Sequence, residues 1–195
     1  MLSWELACLA LMMRWKSNKW LIKVTNYVLE KLGENNMSKG SVEFKKNDEY
    51  YTPLEVINKV TGGHIDYDPA TNDHKAKEFG VLNYDTVETN GLTTDWAPHN
   101  RIWVNPPFSM KKEFIKKAVE TVKANLDATI WILVPIETLT TKWFNAMVQN
   151  YDLIIPNGRV KFEYPNNPQA KSPAFGSIII KLGSQASMNI ESLEL

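Results

Sequence analysis

Residues 101–114 read RIWVNPPFSMKKEF: an apolar run is cut by two adjacent prolines, and a lysine-rich amphipathic segment follows. Proline has no N–H to give to a ladder, so the strand Arg101–Val104 must stop at Asn105. Beyond the corner, Ser109 is suited to cap a helix over Lys111–Leu126 that places Phe114, Ile115, Ala118, Val119 and Val122 on one face. A rigid corner between a strand and a helix is where α/β proteins put their chemistry.

The same alternation continues on both sides. Thr129–Val134, TIWILV, is continuously apolar, as a strand covered on both faces must be. Upstream, Pro53–Val60 reads as a helix opened by Thr52, His64–Tyr67 as a strand ending at Asp68-Pro69, and Asp73–Phe79 as a helix. Downstream, Thr141–Gln149 is helical with Trp143, Phe144, Met147 and Val148 inward. Asp152–Ile155, Arg159–Tyr164 and Ser177–Leu182 read as strands, the last two an antiparallel pair joined by PNNPQAKSPAFG. The expected fold is α/β, a mainly parallel sheet with an antiparallel terminal hairpin.

Bulk properties bound the function. Of 195 residues, 44% are hydrophobic, ample for one core, while 22 basic and 22 acidic residues cancel. No overall positive field announces nucleic acid, so such a partner needs a local basic patch. One cysteine, Cys8, rules out a disulfide framework and fits a reducing cytoplasm. His64, His74 and His99 lie far apart, and no metal site is expected. The apolar run in MLSWELACLALMMRWK is too short to span a bilayer, and its positive charges follow it, so neither a membrane span nor a secretion signal is read there. Residues 2–32 suggest one or two amphipathic helices, and GENNMSKGSVEFKKNDE separates them from the rest, with Met37 an alternative start. The expected organisation is an N-terminal helical extension and linker over 1–45, a main domain over 46–183 and a tail over 184–195.

Asn105-Pro106-Pro107-Phe108 fits one chemical task. An exocyclic amine on a nucleobase is a poor nucleophile because its lone pair is delocalised into the ring. Two acceptors on its two hydrogens, the Asn105 side-chain oxygen and the Pro106 carbonyl, draw the nitrogen toward tetrahedral geometry and localise that pair. The prolines fix the carbonyl, and Phe108 offers a flat face for a base swung out of the helix. Chance would supply such a string in about one chain in a hundred of this length.

The string resembles the signature of S-adenosylmethionine-dependent amino-methyltransferases, and Asn in first place is a form used by adenine methylators. In order along the chain, Tyr51-Thr52-Pro53, Asp66-Tyr67-Asp68-Pro69-Ala70, Gly91-Leu92 with Asp95-Trp96, NPPF, Thr141-Lys142-Trp143-Phe144, Gly158-Arg159-Val160-Lys161-Phe162 and Ser172-Pro173 resemble the phage-type DNA N-6-adenine methyltransferase family, over about 48–182. The resemblance implies a class I, Rossmann-like methyltransferase domain, S-adenosylmethionine as cofactor and double-stranded DNA as partner, with the protein a monomer or homodimer in the cytoplasm of a bacterial host. It implies that Thr52 and Pro53 lie against the methionine part of the cofactor. Asp68 would hold its amino group, with Pro69 and Ala70 shaping the turn. Asp95 would accept from its adenine amine, with Trp96 beside the ring. The chain departs from many methyltransferases in carrying DPATN where they have a glycine-rich loop. Asp85 and Glu88 are candidates for the ribose hydroxyls, but loop acids are commonly solvated and neither is assigned. DNA contact needs cations beside the pocket: Lys111, Lys112, Arg159, Lys161 and Lys171 are the candidates.

Other chemistries fit less well. A carbon-5 cytosine methyltransferase needs a cysteine nucleophile in its catalytic domain, and Cys8 lies outside it. Cytosine N4 methylation usually carries Ser in first place, and RNA or protein methylation by a related motif is a further alternative. A catalytically silent DNA-binding phage protein would be expected to show a damaged motif, yet Asn105–Phe108 is intact. The expected activity is therefore site-specific transfer of a methyl group to the N6 amine of a flipped adenine, shielding phage DNA from restriction.

Overall fold

Residues 50–164 and 175–195 are described by the computed structural model. In chain order they form α1 (Leu54–Thr61), β1 (Tyr67–Asp68), α2 (Asp73–Phe79), β2 (Asn83–Tyr84), β3 (Arg101–Val104), α3 (Lys111–Ala124), β4 (Thr129–Pro135), α4 (Lys142–Met147), β5 (Asp152–Asn157), β6 (Ser177–Gly183) and β7 (Ile190–Glu194). All belong to one compact unit, Phe44–Leu195. The expected helices within 2–32, the linker, and residues 165–174 with Lys171, Ser172 and Pro173 lie outside the described residues.

The architecture is α/β, a mixed seven-stranded sheet in the order β2-β1-β3-β4-β6-β5-β7. Strands β2, β1, β3 and β4 run parallel, with Trp103 beside Trp131 and Val104 beside Ile132. Their common direction delivers Asp68, Tyr84, Val104 and Pro135, the last residue of each strand, to one edge of the sheet. That edge carries the motif. Strand β6 enters antiparallel between β4 and β5, and its SIIIKLG matches the apolar run of β4 residue for residue from Thr129 to Pro135. Both strands are buried almost throughout, so neither shows the alternation of a half-exposed strand.

The helices form for local reasons and are held by packing. On α3 the buried residues Phe114, Ile115, Ala118 and Val119 recur at helical spacing. Each large one is worth about 1.5–3 kcal/mol when buried. Asn72 caps α2 through Lys75 N–H, and Thr141 caps α4 through Phe144 N–H. Gly62, in the left-handed conformation at φ 74°, ends α1.

Several local expectations are corrected. Thr52 does not cap α1: Pro53 holds the cap position and makes no side-chain bond, while Thr52 is turned inward and buried. Ser109 does not cap α3, because a 3-10 turn over Phe108–Met110 intervenes and Met110 stands at the cap. The first strand is Tyr67–Asp68 rather than His64–Tyr67, since the Asp66 carboxylate accepts from Asn100 and Arg101 N–H and the ladder begins only after it.

The terminal hairpin is also drawn differently. Arg159–Tyr164 is no strand; among the described residues its pairing is an isolated bridge from Glu163 to Tyr51. Val160 and Phe162 alternate because they plug the core from beside the sheet, and β5 has β6 and β7 on its two edges already. The antiparallel partner of β6 is β5. The segment read as a tail contains β7, parallel to β5 from Leu153 opposite Ile190 to Asn157 opposite Glu194. Its polar IESLE hid it, and the buried Asp152 carboxylate aims it by accepting from Ser187 and Asn189 N–H at 3.0 and 2.9 Å.

Candidate active site

Asn105 is the first residue past β3, where the prolines force the chain out of the ladder. Its side-chain N–H donates to the Tyr50 carbonyl. A carbonyl can only accept, which fixes the amide with its NH2 toward Tyr50 and its oxygen the other way. That oxygen, Oδ1, is buried with no hydrogen-bond partner. Buried acceptors are ordinarily satisfied, so this oxygen is open to a donor. The Thr52 hydroxyl, two residues from Tyr50, is a second buried polar atom without a partner.

The rest of the corner is locally tied. Pro107 carbonyl accepts from Met110 N–H at 2.9 Å, and Phe108 carbonyl accepts from Lys111 Nζ at 3.0 Å. Phe108 is 5% exposed and belongs to a buried apolar cluster with Trp103, Trp131 and Phe162. Tyr50 stacks on it, centroids 5.0 Å apart and planes 24° from parallel, and Phe175 meets it nearly at right angles.

At the end of β1, Asp68 is buried and its carboxylate accepts from Ala70 N–H at 3.0 Å. Burial pushes its pKa up to about 7, against the pull of the Ala70 bond. Beside it, Asp85 at the end of β2 joins the same turn, its N–H donating to Asp68 carbonyl and its carbonyl accepting from Thr71 N–H. Its carboxylate accepts from the Tyr67 hydroxyl and, at 2.8 Å, from Thr94. Burial works to raise the Asp85 pKa, but the bonds from Tyr67, Thr89 and Thr94 and the charge of Lys117 outweigh it and hold the carboxyl below its usual value. Two buried carboxylates thus stand at adjacent strand ends with opposite protonation tendencies.

Gly91 lets the next loop reach this turn. A Cβ there would overlap the Pro69 carbonyl oxygen and stand 2.7 Å from Pro69 Cβ. The loop that follows walls one side of an open groove of about 510 Å³, lined by Leu92, Asp95 and Trp96 and, from α3, Glu113, Lys116 and Lys117.

The sequence model of the DNA N-6-adenine-methyltransferase (Dam) family matches residues 39–190, most of the chain. This chain belongs to the Dam family. Among curated relatives, the DNA N-6-adenine-methyltransferase of Escherichia phage T1 is 34% identical over 111 residues, 55% of this chain and 44% of that protein. The enzyme of the same name from Haemophilus phage HP1 is 31% identical over 132 residues, 65% of this chain and 72% of that protein. The chain therefore spans less than half of the first relative's length. A modification subunit ascribed to a type I restriction enzyme of Vibrio vulnificus superposes with a TM-score of 0.44 and 11% identity, over 88% of this chain and 50% of that one.

Within this Dam-family chain, the residues singled out in the sequence fall into distinct settings. Thr52, Asp68 and Asn105 are the ones whose polar atoms are buried in the corner region. Pro53, Pro69 and Ala70 shape the turns beside them. Asp95 is exposed on the groove rim, its carboxylate accepting from Ala97 N–H at 3.0 Å. Trp96 is only 1% exposed, donates to Gly91 carbonyl and packs on Tyr67 and Phe114, so its bulk belongs to the core and only an edge borders the groove. Lys111 turns back onto the corner, whereas Lys112, Arg159 and Lys161 are exposed.

Two groups, Tyr50 and Lys75, escaped the sequence reading, and a third, Asp85, was named there without being assigned. Asp85 looked like any loop acid, and its only signal was its place after the strand residues Asn83 and Tyr84. Tyr50 carried no signal, since its contacts with Asn105 and Phe108 span more than fifty residues of chain. Lys75, 6% exposed, bonds Glu78 at 2.8 Å and also Glu163, tying α2 to the segment bridged with Tyr51. Among the described residues there is no helix long and apolar enough to cross a membrane and no cluster of three metal-ligating side chains.

Proposed function

We propose that the chain methylates the N6 amine of adenine in DNA, using S-adenosylmethionine as methyl donor within a class I, Rossmann-like domain. The orphaned Asn105 Oδ1 carries this reading: it is an acceptor held in one orientation by a carbonyl and left unpaired at the end of a central strand. It accepts one hydrogen of the target amine. The second hydrogen goes to the Pro106 carbonyl, whose direction the adjacent prolines fix. No strong base is required, because the nitrogen becomes acidic only after it gains the methyl group and then releases a proton.

The residues present fit the cofactor. Bound S-adenosylmethionine supplies an electrophilic methyl on a sulfonium. The buried Asp68 carboxylate suits its ammonium, the unpartnered Thr52 hydroxyl with Pro53 suits its methionine portion, and Pro69 and Ala70 hold the turn between them. Asp85 is the better placed acid for ribose hydroxyls, being buried at a strand end, while Glu88 is exposed and bonded to Thr86. Asp95 on the groove rim suits the adenine amine, with the edge of Trp96 beside it. Lys112, Arg159 and Lys161 are exposed cations for DNA phosphates, with Lys171, which lies outside the described residues, a further candidate.

The expected setting is phage or prophage DNA shielded from restriction in the host cytoplasm. Nucleoside mass spectrometry on unmethylated DNA incubated with protein and S-adenosylmethionine tests the reading. New N6-methyladenine that disappears with Asn105→Ala supports it. Methylated cytosine, or no modified base despite cofactor binding, overturns it.

A further inference from the structure

A base aligned with Asn105 Oδ1 and stacked on Phe108 needs a free face of that ring, and the structure offers none. Phe108 is 5% exposed, and the Tyr50 ring lies over it at 5.0 Å and 24°. A third ring between two stacked rings requires centroids roughly 7 Å apart, at the far end of the stacking range. Tyr50 and Phe108 are closer than that, so a base cannot slip between them as they stand.

Tyr50 is also built to yield. It is half-buried, and its other aromatic contacts are edge-on: Phe162 at 5.7 Å, Tyr164 at 5.4 Å and Phe175 at 6.2 Å. Its main chain is held separately, the carbonyl by Asn105. Rotation about the Cα–Cβ bond thus moves the ring off Phe108 without disturbing the bond that orients Asn105.

Resting on the adenine-methylation reading, we propose that the Tyr50 ring occupies the target-base slot in the DNA-free protein and is exchanged for the base when it flips. Tyr50 is then a positioning residue with two separable parts. The ring keeps the Phe108 face covered and dry, and the carbonyl keeps Asn105 Oδ1 aimed at the incoming amine. Exchange of one aromatic stack for another also offsets the cost of uncovering Phe108 before the base arrives.

The test compares wild type, Tyr50→Phe and Tyr50→Ala in steady-state methylation of unmethylated genomic DNA at saturating S-adenosylmethionine. Removing the ring removes a competitor worth one aromatic pair, so Tyr50→Ala should lower the DNA KM about two- to tenfold with kcat moving less. Tyr50→Phe keeps ring and carbonyl and should match wild type. A raised KM in Tyr50→Ala means the ring stacks on the base as a second wall, and an unchanged KM means it never meets the base; either overturns the exchange. Should Tyr50→Ala melt far below wild type, Tyr50→Leu keeps the bulk without a planar face and is judged by the same change in KM. A second readout needs no methyl transfer: emission of a random-sequence duplex with 2-aminopurine replacing some adenines, at saturating protein and S-adenosylhomocysteine. Brighter emission with Tyr50→Ala than with wild type supports the exchange, and equal or dimmer emission overturns it. Wild type that makes no N6-methyladenine would sink the adenine reading, while the emission comparison would still decide the role of Tyr50.

Discussion

Replacing Asp68 by asparagine should make the ligand-free protein more stable at alkaline pH while removing cofactor binding. Asp68 is 2% exposed, and burial raises its pKa from 3.8 to about 7. The folded state therefore binds the proton more tightly than the unfolded state. The stabilisation is complete below about pH 4, is lost as pH rises toward 7, and changes no further once both states are ionised. At 1.36 kcal/mol per pKa unit the loss is about 4 kcal/mol, or roughly 10 °C in Tm for a chain of this size. The substituted amide keeps an acceptor for Ala70 N–H and carries no titrating proton. Melting curves from pH 4.5 to 8.5 should thus converge at the acid end and diverge toward pH 8, with Asp68→Asn the higher. S-Adenosylhomocysteine, whose ammonium pairs with the ionised carboxylate, should lift wild type at pH 8 and leave Asp68→Asn unmoved. Parallel profiles for the two proteins, or a cofactor shift of equal size in both, would refute the reasoning.

Asn105→Ala should abolish methyl transfer in the mass-spectrometric assay while the thermal shift with S-adenosylhomocysteine stays close to wild type. Phe108→Ala should cost about 3–5 kcal/mol of stability as well as weakening base capture, because the ring is part of a buried apolar cluster; melting must be measured alongside KM. Gly91→Ala should destabilise by about 1–3 kcal/mol, read by urea unfolding, since its methyl would collide with Pro69 backbone. Glu163→Gln should lower Tm more than Lys75→Met does, because it takes a carboxylate from the Lys75 ammonium, whose side chain is 7% exposed, whereas Lys75→Met leaves only the more exposed Glu78 and Glu163, at 34% and 46%.

What the sequence disclosed and what it withheld divide along physical lines. Strand β3, α3 and β4 were legible because their signals are local: prolines that end a ladder, apolar residues at helical spacing, an unbroken apolar run. Asn105 stood out in the sequence because the chemistry expected of it rests on its immediate neighbours. The Arg159–Tyr164 segment misled because alternation reports burial on one side, and Val160 and Phe162 are buried without a ladder. Strand β7 was missed because edge pairing to β5 needs backbone groups rather than apolar side chains. Tyr50 and Asp85 gain their settings from residues brought near by the sheet order, and no window of sequence contains both partners.

The position of β6 and β7 has a consequence for synthesis. Strand β4 waits for β6, and β5 waits for both β6 and β7, yet residues 136–176 separate β4 from β6 in the chain. On a translating ribosome the TIWILV run therefore emerges with one edge unpaired and stays so until Ser177–Gly183 follows. Vectorial folding can finish the β2-β1-β3-β4 half early, but the other half closes only once β6 and β7 have been made. A chain stalled before them would present an apolar sticky edge, a target for chaperones and proteases.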